Sequence, residues 1–387
     1  MQLEGKTMLD SIDIKNYRTL KDLRLTSLGR VNLITGKNNT GKSTLLEAIA
    51  IYASKADLNF LFQLLKERGE NFRPGENNKN ITEINVKALA SLFSDRKVGF
   101  EQKDAITIGS VEKTLFGDEK SAENSISIRF VKYFDESFTP LENESTGPTR
   151  RRRTIIENEF DALMVDLKIG LEFRLGNLNY IISLDEERPF RLGFRGLGSN
   201  TGFQFIRPRN IDSEMNGKLW DKITLSELEK FVIEALKIIE TNTERIAFIE
   251  EGPRERIPVI KVTTSNSVLP LKSMGDGINR ILTIILALVN SANGFLLIDE
   301  FENGLHYSIQ KKLWKIIFYL TQLLNVQVFV TTHSEDCISG FEDVLNSGEY
   351  TLAGKLIRLD NDNGTIKQVE FSAKELQIAS QQNIETR

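Results

Sequence analysis

The run Gly36-Lys37-Asn38-Asn39-Thr40-Gly41-Lys42-Ser43 constrains this chain more than any other feature, because it matches G-x-x-x-x-G-K-[ST] in full. Before it, Val31–Thr35 (VNLIT) reads as a short apolar strand running into glycine. After it, Leu45, Leu46, Ile49 and Tyr52 recur at helical spacing, so Lys42 to about Ala53 reads as a helix. A strand that curls through glycines into a helix aims successive backbone N–H groups, and the positive end of the helix, at one place. Phosphate fits that place. Gly36, Asn38, Asn39, Thr40, Gly41 and Thr44 would line it, Lys42 would neutralise it, and the Ser43 hydroxyl would hold Mg²⁺. The bland alternative is a glycine turn that opens a helix by chance; a second motif far downstream weighs against it.

That motif is Gly294-Phe295-Leu296-Leu297-Ile298-Asp299-Glu300, an apolar strand ending in two carboxylates. Such an end is a poor core and a good metal edge, with Asp299 placed for Mg²⁺ and Glu300 placed to orient or deprotonate a water. On its own the segment reads equally well as a strand leaving for a solvated acidic turn. His333, in FVTTHSED, follows another buried-type strand, where a neutral imidazole can hydrogen-bond a terminal phosphate. Ser273-Met274-Gly275-Asp276-Gly277 is a further small-residue turn at a helix start, able to offer backbone donors to phosphate. A plain helix cap at Ser273 or Asp276 explains it as well.

Composition bounds the alternatives. The 387 residues suffice for two to three domains' worth of core. Fifty basic against fifty-four acidic side chains give a formal net charge of −4, so the chain is no polycation built to wrap nucleic acid. Only two histidines, His306 and His333, and one cysteine, Cys337, exclude histidine-rich metal sites and a disulfide framework. No run approaches the ~20 apolar residues of a membrane span, and MQLEGKTMLDSIDIKNYR lacks the regions of a signal peptide, so a cytoplasmic protein with no membrane partner is expected.

Residues 8–16 alternate as a half-buried strand does. Between about 55 and 260 the pattern is mixed, with polar connections such as ERGENFRPGENNKN and LENESTGPTRRRR. Strand-like runs occur there at SISIRFVKYF, LMVDLKIGLEFRL and LNYIISLD, followed by a helix from about Leu225 to Thr241. After Ile257 a strand PVIKV, a helix Gly277–Asn290, a strand Phe295–Ile298, a helix Tyr307–Leu324 and a strand Val326–Val330 alternate, which implies a largely parallel sheet. The expected organisation is residues 1–54 and 257–387 as two halves of one α/β domain, with 55–256 an inserted mixed β and helical region. Arg150 to Arg153 form the densest positive cluster, open to nucleic acid, to an acidic partner, or simply to solvent.

Taken together these motifs resemble the ABC-type ATPase heads of SMC, RecF-like and OLD-like proteins. The order is similar: an N-terminal strand with Asn16-Tyr17-Arg18, the glycine loop (Walker A), a long insertion, a signature turn, the acidic strand (Walker B), a D-loop and a histidine loop. The resemblance covers roughly residues 8–53 and 257–360. It implies an α/β P-loop fold with a mostly parallel central sheet, an antiparallel β subdomain and a helical insertion. It also implies an ATPase using ATP and Mg²⁺, with Lys42, Ser43 and Arg18 at the nucleotide, Asp299 at the metal, Glu300 catalytic and His333 the switch histidine. Ser273, Gly275 and Asp276 would form a signature acting on the nucleotide of a second copy, with Asn303 and His306 in the D-loop, giving a head-to-head dimer or a higher homo-oligomer. Three departures stand out. The signature reads SMGDG rather than LSGGQ; the Q-loop glutamine is either Gln204 or Gln63; and the 54 residues after His333 are too few for the nuclease domain of OLD-family enzymes. The chain is therefore similar to stand-alone ATPase subunits of bacterial anti-phage systems, whose effector, a nuclease or toxin, is encoded separately. The alternative is a RecF-like or SMC-like ATPase acting directly on DNA.

Overall fold

The computed structural model describes residues 8–70, 72–73, 80–113, 119–121, 125–138, 150–156, 166–184, 202–208, 213–252, 255–264, 267–275, 277–351, 353–382 and 385–386. Two compact units divide the chain: Met1–Ser11, Leu25–Ala53 and Ser199–Arg387 form one, Ile12–Arg24 and Ser54–Gly198 the other.

The first unit is built on a six-stranded sheet in the order Phe203–Ile206, Phe295–Ile298, Gln327–Thr331, Val31–Thr35, Gly354–Asp362 and Thr365–Phe371. The first five strands run parallel, and the last is antiparallel to its neighbour. Continuous apolar runs suit strands covered on both faces, and Phe295–Ile298, Gln327–Thr331 and Val31–Thr35 are buried at every position. The covering helices carry apolar faces to match. Gly277–Val289 is buried almost throughout, while Tyr307–Leu324 buries a stripe with Leu313, Trp314, Ile317 and Leu320 and stops at Asn325, whose φ of 54° is left-handed. Asparagine tolerates that conformation, which ends a helix cleanly.

Two readings change here. PVIKV lies within Glu255–Val262, which pairs antiparallel with Thr243–Gly252 and Val268–Pro270 in a separate three-stranded sheet, not in the parallel one. The helix expected from Leu225 begins only at Glu229 and runs to Ile239. Leu225 has a φ of 61°, and the Ser226 hydroxyl donates to the Ile223 carbonyl, so local turns occupy the intervening residues. Phe203–Ile206, from within residues 55–256, a stretch expected to supply part of the head as well as an insertion, is the edge strand of the parallel sheet, in register with Phe295–Ile298.

The second unit holds a seven-stranded sheet in the order Leu178–Ser183, Lys168–Leu175, Ile126–Phe138, Ile106–Gly109, Ile12–Tyr17 and Leu20–Leu25, with Arg150–Ile155 also paired to Ile126–Phe138. Helices Leu58–Glu67 and Ile81–Ala90, not foreseen, belong to the same unit. Arg129 and Glu172 stand opposite each other on adjacent strands as a buried ion pair; Arg174 Nε and Asn179 Nδ2 satisfy the other Glu172 oxygen, each at 2.9 Å. Among the described residues no helix is long and apolar enough to cross a membrane.

Attachment of the edge strand depends on two glycines. The Gly202 carbonyl accepts from Phe295 N–H at 2.8 Å, and a Cβ on Gly294 would lie 1.8 Å from that same oxygen. Gly294→Ala therefore should force the strands apart and lower unfolding free energy by about 1–3 kcal/mol, read from urea denaturation; an unchanged midpoint would refute this account of the edge.

Candidate functional site

The carboxyl ends of adjacent parallel strands are where ligands meet an α/β sheet, and the register here brings three motif-bearing ends side by side. Thr331 pairs with Ile34 and Val330 with Ile298, so the loop after Thr35, the carboxylates after Ile298 and the residues after Thr331 emerge together.

The glycine loop has the backbone its sequence demands. Gly36 has a φ of 133°, Asn39 of 63° and Gly41 of 88°. A Cβ on Gly36 would meet the Leu359 carbonyl oxygen at 2.3 Å, so only glycine fits. Lys42 opens the helix Lys42–Ala53, and its Nζ donates to the loop's own Gly36 and Lys37 carbonyls at 2.6 and 2.8 Å. Burial pushes the Lys42 ammonium down to about 8, against the pull of Asp299, Glu302 and Glu300. Thr44 is buried in the first helical turn, Thr40 closes the loop by donating to the Lys37 carbonyl at 2.9 Å, and Asn38 and Asn39 are exposed at its rim.

Asp299 ties the strands together. Its Oδ1 accepts from Ser43 Oγ at 3.1 Å and from Thr331 Oγ1 at 2.6 Å. Thr331 Oγ1 in turn accepts from the Glu300 N–H at 2.9 Å. Glu300 has a φ of 52°, a conformation costing a side chain with a Cβ about 1–2 kcal/mol. Phe301, wholly buried, stacks on Trp314 with ring centroids 4.6 Å apart and anchors the turn to the core. Beneath the turn lies Arg280, only 2% exposed, whose guanidinium donates to the Asp299 and Glu300 carbonyls at 3.2 and 3.1 Å and to the Arg207 carbonyl at 3.4 Å. Burial lowers Arg280 to about 10, with Asp299, Glu300 and Glu302 acting in the other direction.

Glu302 links this turn to the histidine loop. One of its oxygens accepts from Thr332 Oγ1 and the other from the His333 N–H, both at 2.7 Å. His333 itself is half-buried and precedes Ser334, the N-cap of Glu335–Leu345. The sequence gives no site role to Thr331, Thr332, Glu302 or Arg280. Two local signals exist: a threonine pair ending an apolar strand, and a charged residue, Arg280, on the apolar face of Gly277–Val289.

The remaining sequence candidates are placed as follows. Ser273 lies in a 3₁₀ turn, Leu271–Met274, exposed, its hydroxyl donating to the Pro270 carbonyl at 2.7 Å. Gly275 follows at a φ of 115°, and Asp276 lies outside the described residues. A Cβ on Gly277 would come 3.1 Å from the Gly304 carbonyl oxygen, so the start of Gly277–Val289 and the segment holding Asn303 and His306 approach each other. No hydrogen bond among the described residues joins Ser273 or Gly275 to Gly36–Ser43. Asn303 N–H donates to the Glu300 carbonyl at 3.1 Å; His306 is exposed and caps Tyr307–Leu324, its Nδ1 accepting from Ser308 N–H. Arg18 sits in the turn after Ile12–Tyr17 in the second unit, at a φ of 50°. Gln204 lies within the edge strand Phe203–Ile206, and Gln63 donates to Glu67 on a helix of the second unit.

A serine hydroxyl and an aspartate carboxylate within hydrogen-bond distance are hard oxygen donors of the kind Mg²⁺ takes alongside phosphate oxygens and water. No cluster of three or more histidine, cysteine or acidic ligands occurs among the described residues, which a cation bound largely through its substrate does not require.

Comparison with known proteins agrees with this geometry. The AAA ATPase domain family matches residues 8–169 and 206–338, more than half of the chain. An ATP/GTP phosphatase of Helicobacter pylori is 25% identical over 374 residues, spanning 92% of this chain and 93% of that protein. The DNA replication and repair protein RecF of Rickettsia typhi is 23% identical over 366 residues, covering 86% and 96%. Among solved structures, an SMC head bound to the C-winged helix domain of ScpA aligns with a TM-score of 0.47 at 12% identity, over 94% of this chain and 97% of that one. With a glycine loop, an acidic strand end and a histidine loop gathered at the carboxyl ends of three adjacent strands, the chain belongs to the AAA ATPase domain family and hydrolyses ATP.

Proposed function

We propose that ATP is hydrolysed at a composite site formed by two copies of this chain, and that the cycle controls a separately encoded effector, a nuclease or toxin, in bacterial anti-phage defence. The observation that carries the chemistry is the Asp299 oxygen shared between Ser43 and Thr331, which sets the glycine loop, the acidic turn and the histidine loop around one point. Lys42 and the loop N–H groups bind the phosphates; Ser43 and Asp299 hold Mg²⁺, which when bound withdraws charge from the transferring phosphoryl group. Glu300 accepts the proton of the attacking water, and His333 contacts the terminal phosphate. Ser273, Gly275 and Asp276 of the second copy complete the site, with Asn303 at the seam.

The effector reading is supported by the second unit, a separately compact body that holds neither the glycine loop nor the acidic and histidine segments. RecF-like action on DNA is the second reading, favoured by the full-length similarity to the Rickettsia protein. Charge weighs against it. In the strand Arg150–Ile155, Arg153 stands opposite Asp135 and Arg152 opposite Glu136, so two of the four arginines meet acids across the ladder, while Arg151 and Arg150 stand opposite Ser137 and Phe138. Purification from the native host with its bound partner tests the first reading; ATPase activity stimulated by DNA alone, with a steep salt dependence, would replace it with the second.

Two predictions concern the chemistry. Glu300→Gln should keep ATP affinity, lose turnover and accumulate an ATP-bound dimer in size-exclusion chromatography; normal hydrolysis would remove Glu300 from the mechanism. Lys42 must be protonated to pair with phosphate, and its proton leaves the free protein near pH 8, so the bound nucleotide raises its pKa. Affinity for ATP is then full below pH 8 and falls as pH rises above it, by up to about tenfold per pH unit, with proton uptake on binding measurable by calorimetry in buffers of different ionisation enthalpy. Equal affinity at pH 7 and pH 9.5 would contradict this role, and Lys42→Ala should abolish binding.

A further inference from the structure

We propose that Arg280 and Thr331 are positioning residues for hydrolysis: from opposite sides they hold Glu300 in its left-handed backbone conformation, and so aim its carboxylate. The inference rests on the reading of Glu300 as the base.

The contacts that fix Glu300 are made through its backbone. Its N–H donates to Thr331 Oγ1 at 2.9 Å, and its carbonyl accepts from Arg280 at 3.1 Å and from Asn303 N–H at 3.1 Å. At a φ of 52° a glutamate departs from where its side chain is comfortable, and such a conformation persists only when its surroundings over-determine it. Both braces are themselves held. Thr331 ends a wholly buried strand, and its hydroxyl is committed as donor to Asp299 Oδ1, which leaves its lone pair turned to the Glu300 N–H. Arg280 is buried in the first turns of Gly277–Val289, and its planar fork spans the Asp299 and Glu300 carbonyls together with that of Arg207, at the ends of two adjacent parallel strands. A lysine ammonium at that position keeps the charge but not the three-way span.

Arg280 follows Gly277 by three residues on one helix, and Gly277 closely approaches the Gly304 carbonyl. The brace under Glu300 thus lies on the helix that follows the Ser273–Gly275 turn.

The test is steady-state hydrolysis at saturating Mg²⁺ for Arg280→Lys, Thr331→Val and Thr331→Ser, each also made in the Glu300→Gln background. Arg280→Lys and Thr331→Val should lower kcat on the order of 10- to 100-fold with KM for ATP within about twofold. Thr331→Ser, which keeps the hydroxyl, should restore most of the loss. In the Glu300→Gln background Arg280→Lys should not reduce the residual single-turnover rate further, because residues acting through one group are not additive, and Thr331→Val, which also releases Asp299 Oδ1, should lose less than it does with Glu300 present. Equal fold losses in both backgrounds, or a kcat that falls only in proportion to the loss of folded protein, would overturn the proposal. If Arg280→Lys does not melt cooperatively, the Thr331 pair decides alone. Should Glu300→Gln itself turn over normally, the reading of Glu300 falls; if it is inactive while the Arg280 and Thr331 variants are normal, only the brace falls.

Discussion

One carboxylate oxygen, Asp299 Oδ1, receives hydroxyl donors from two other strands' continuations: Ser43 from the helix after Val31–Thr35, and Thr331 from the end of Gln327–Thr331. The arrangement needs the strand order acidic, histidine, glycine-loop, with no offset in register. A slip of one residue in any pair would turn Asp299 or Thr331 to the opposite face of the sheet. The sheet is therefore what makes the site, and its fully buried central strands are what fix the sheet. Three carboxylates, Asp299, Glu300 and Glu302, then surround two buried cations, Lys42 and Arg280, both lowered by desolvation and both drawn back by those acids. Removing either cation leaves acids uncompensated in a poorly solvated place, which costs more than the pair contributes.

The parts legible in the sequence share one property: their pattern is local. The glycine loop, the apolar run closed by Asp299 and Glu300, and the helix Tyr307–Leu324 each announce themselves within eighteen residues or fewer. PVIKV was misplaced because a short apolar run fits a buried parallel strand and an antiparallel one equally well. Its true partner, Thr243–Gly252, lies immediately upstream, where no alternation marks it strongly. The arginine cluster reads as a solvated run, or one open to nucleic acid or a partner, for a related reason. Its acids, Asp135 and Glu136, sit on a strand some fifteen residues earlier, and only pairing brings them opposite.

Long-range side-chain to backbone contacts leave no periodic trace at all. Arg280 reads as one polar residue in an apolar helix, GINRILTIILALV, and nothing nearby says that it serves the carbonyls of Arg207, Asp299 and Glu300. A charged residue at a position the helical pattern assigns to the core is itself the signal. Burying a guanidinium is costly unless several acceptors are waiting, so a lone arginine on such a face implies acceptors elsewhere in the chain. The same logic applies to Gln327, buried in a central strand, whose amide both accepts from Leu9 N–H and donates to the Leu9 and Gly29 carbonyls.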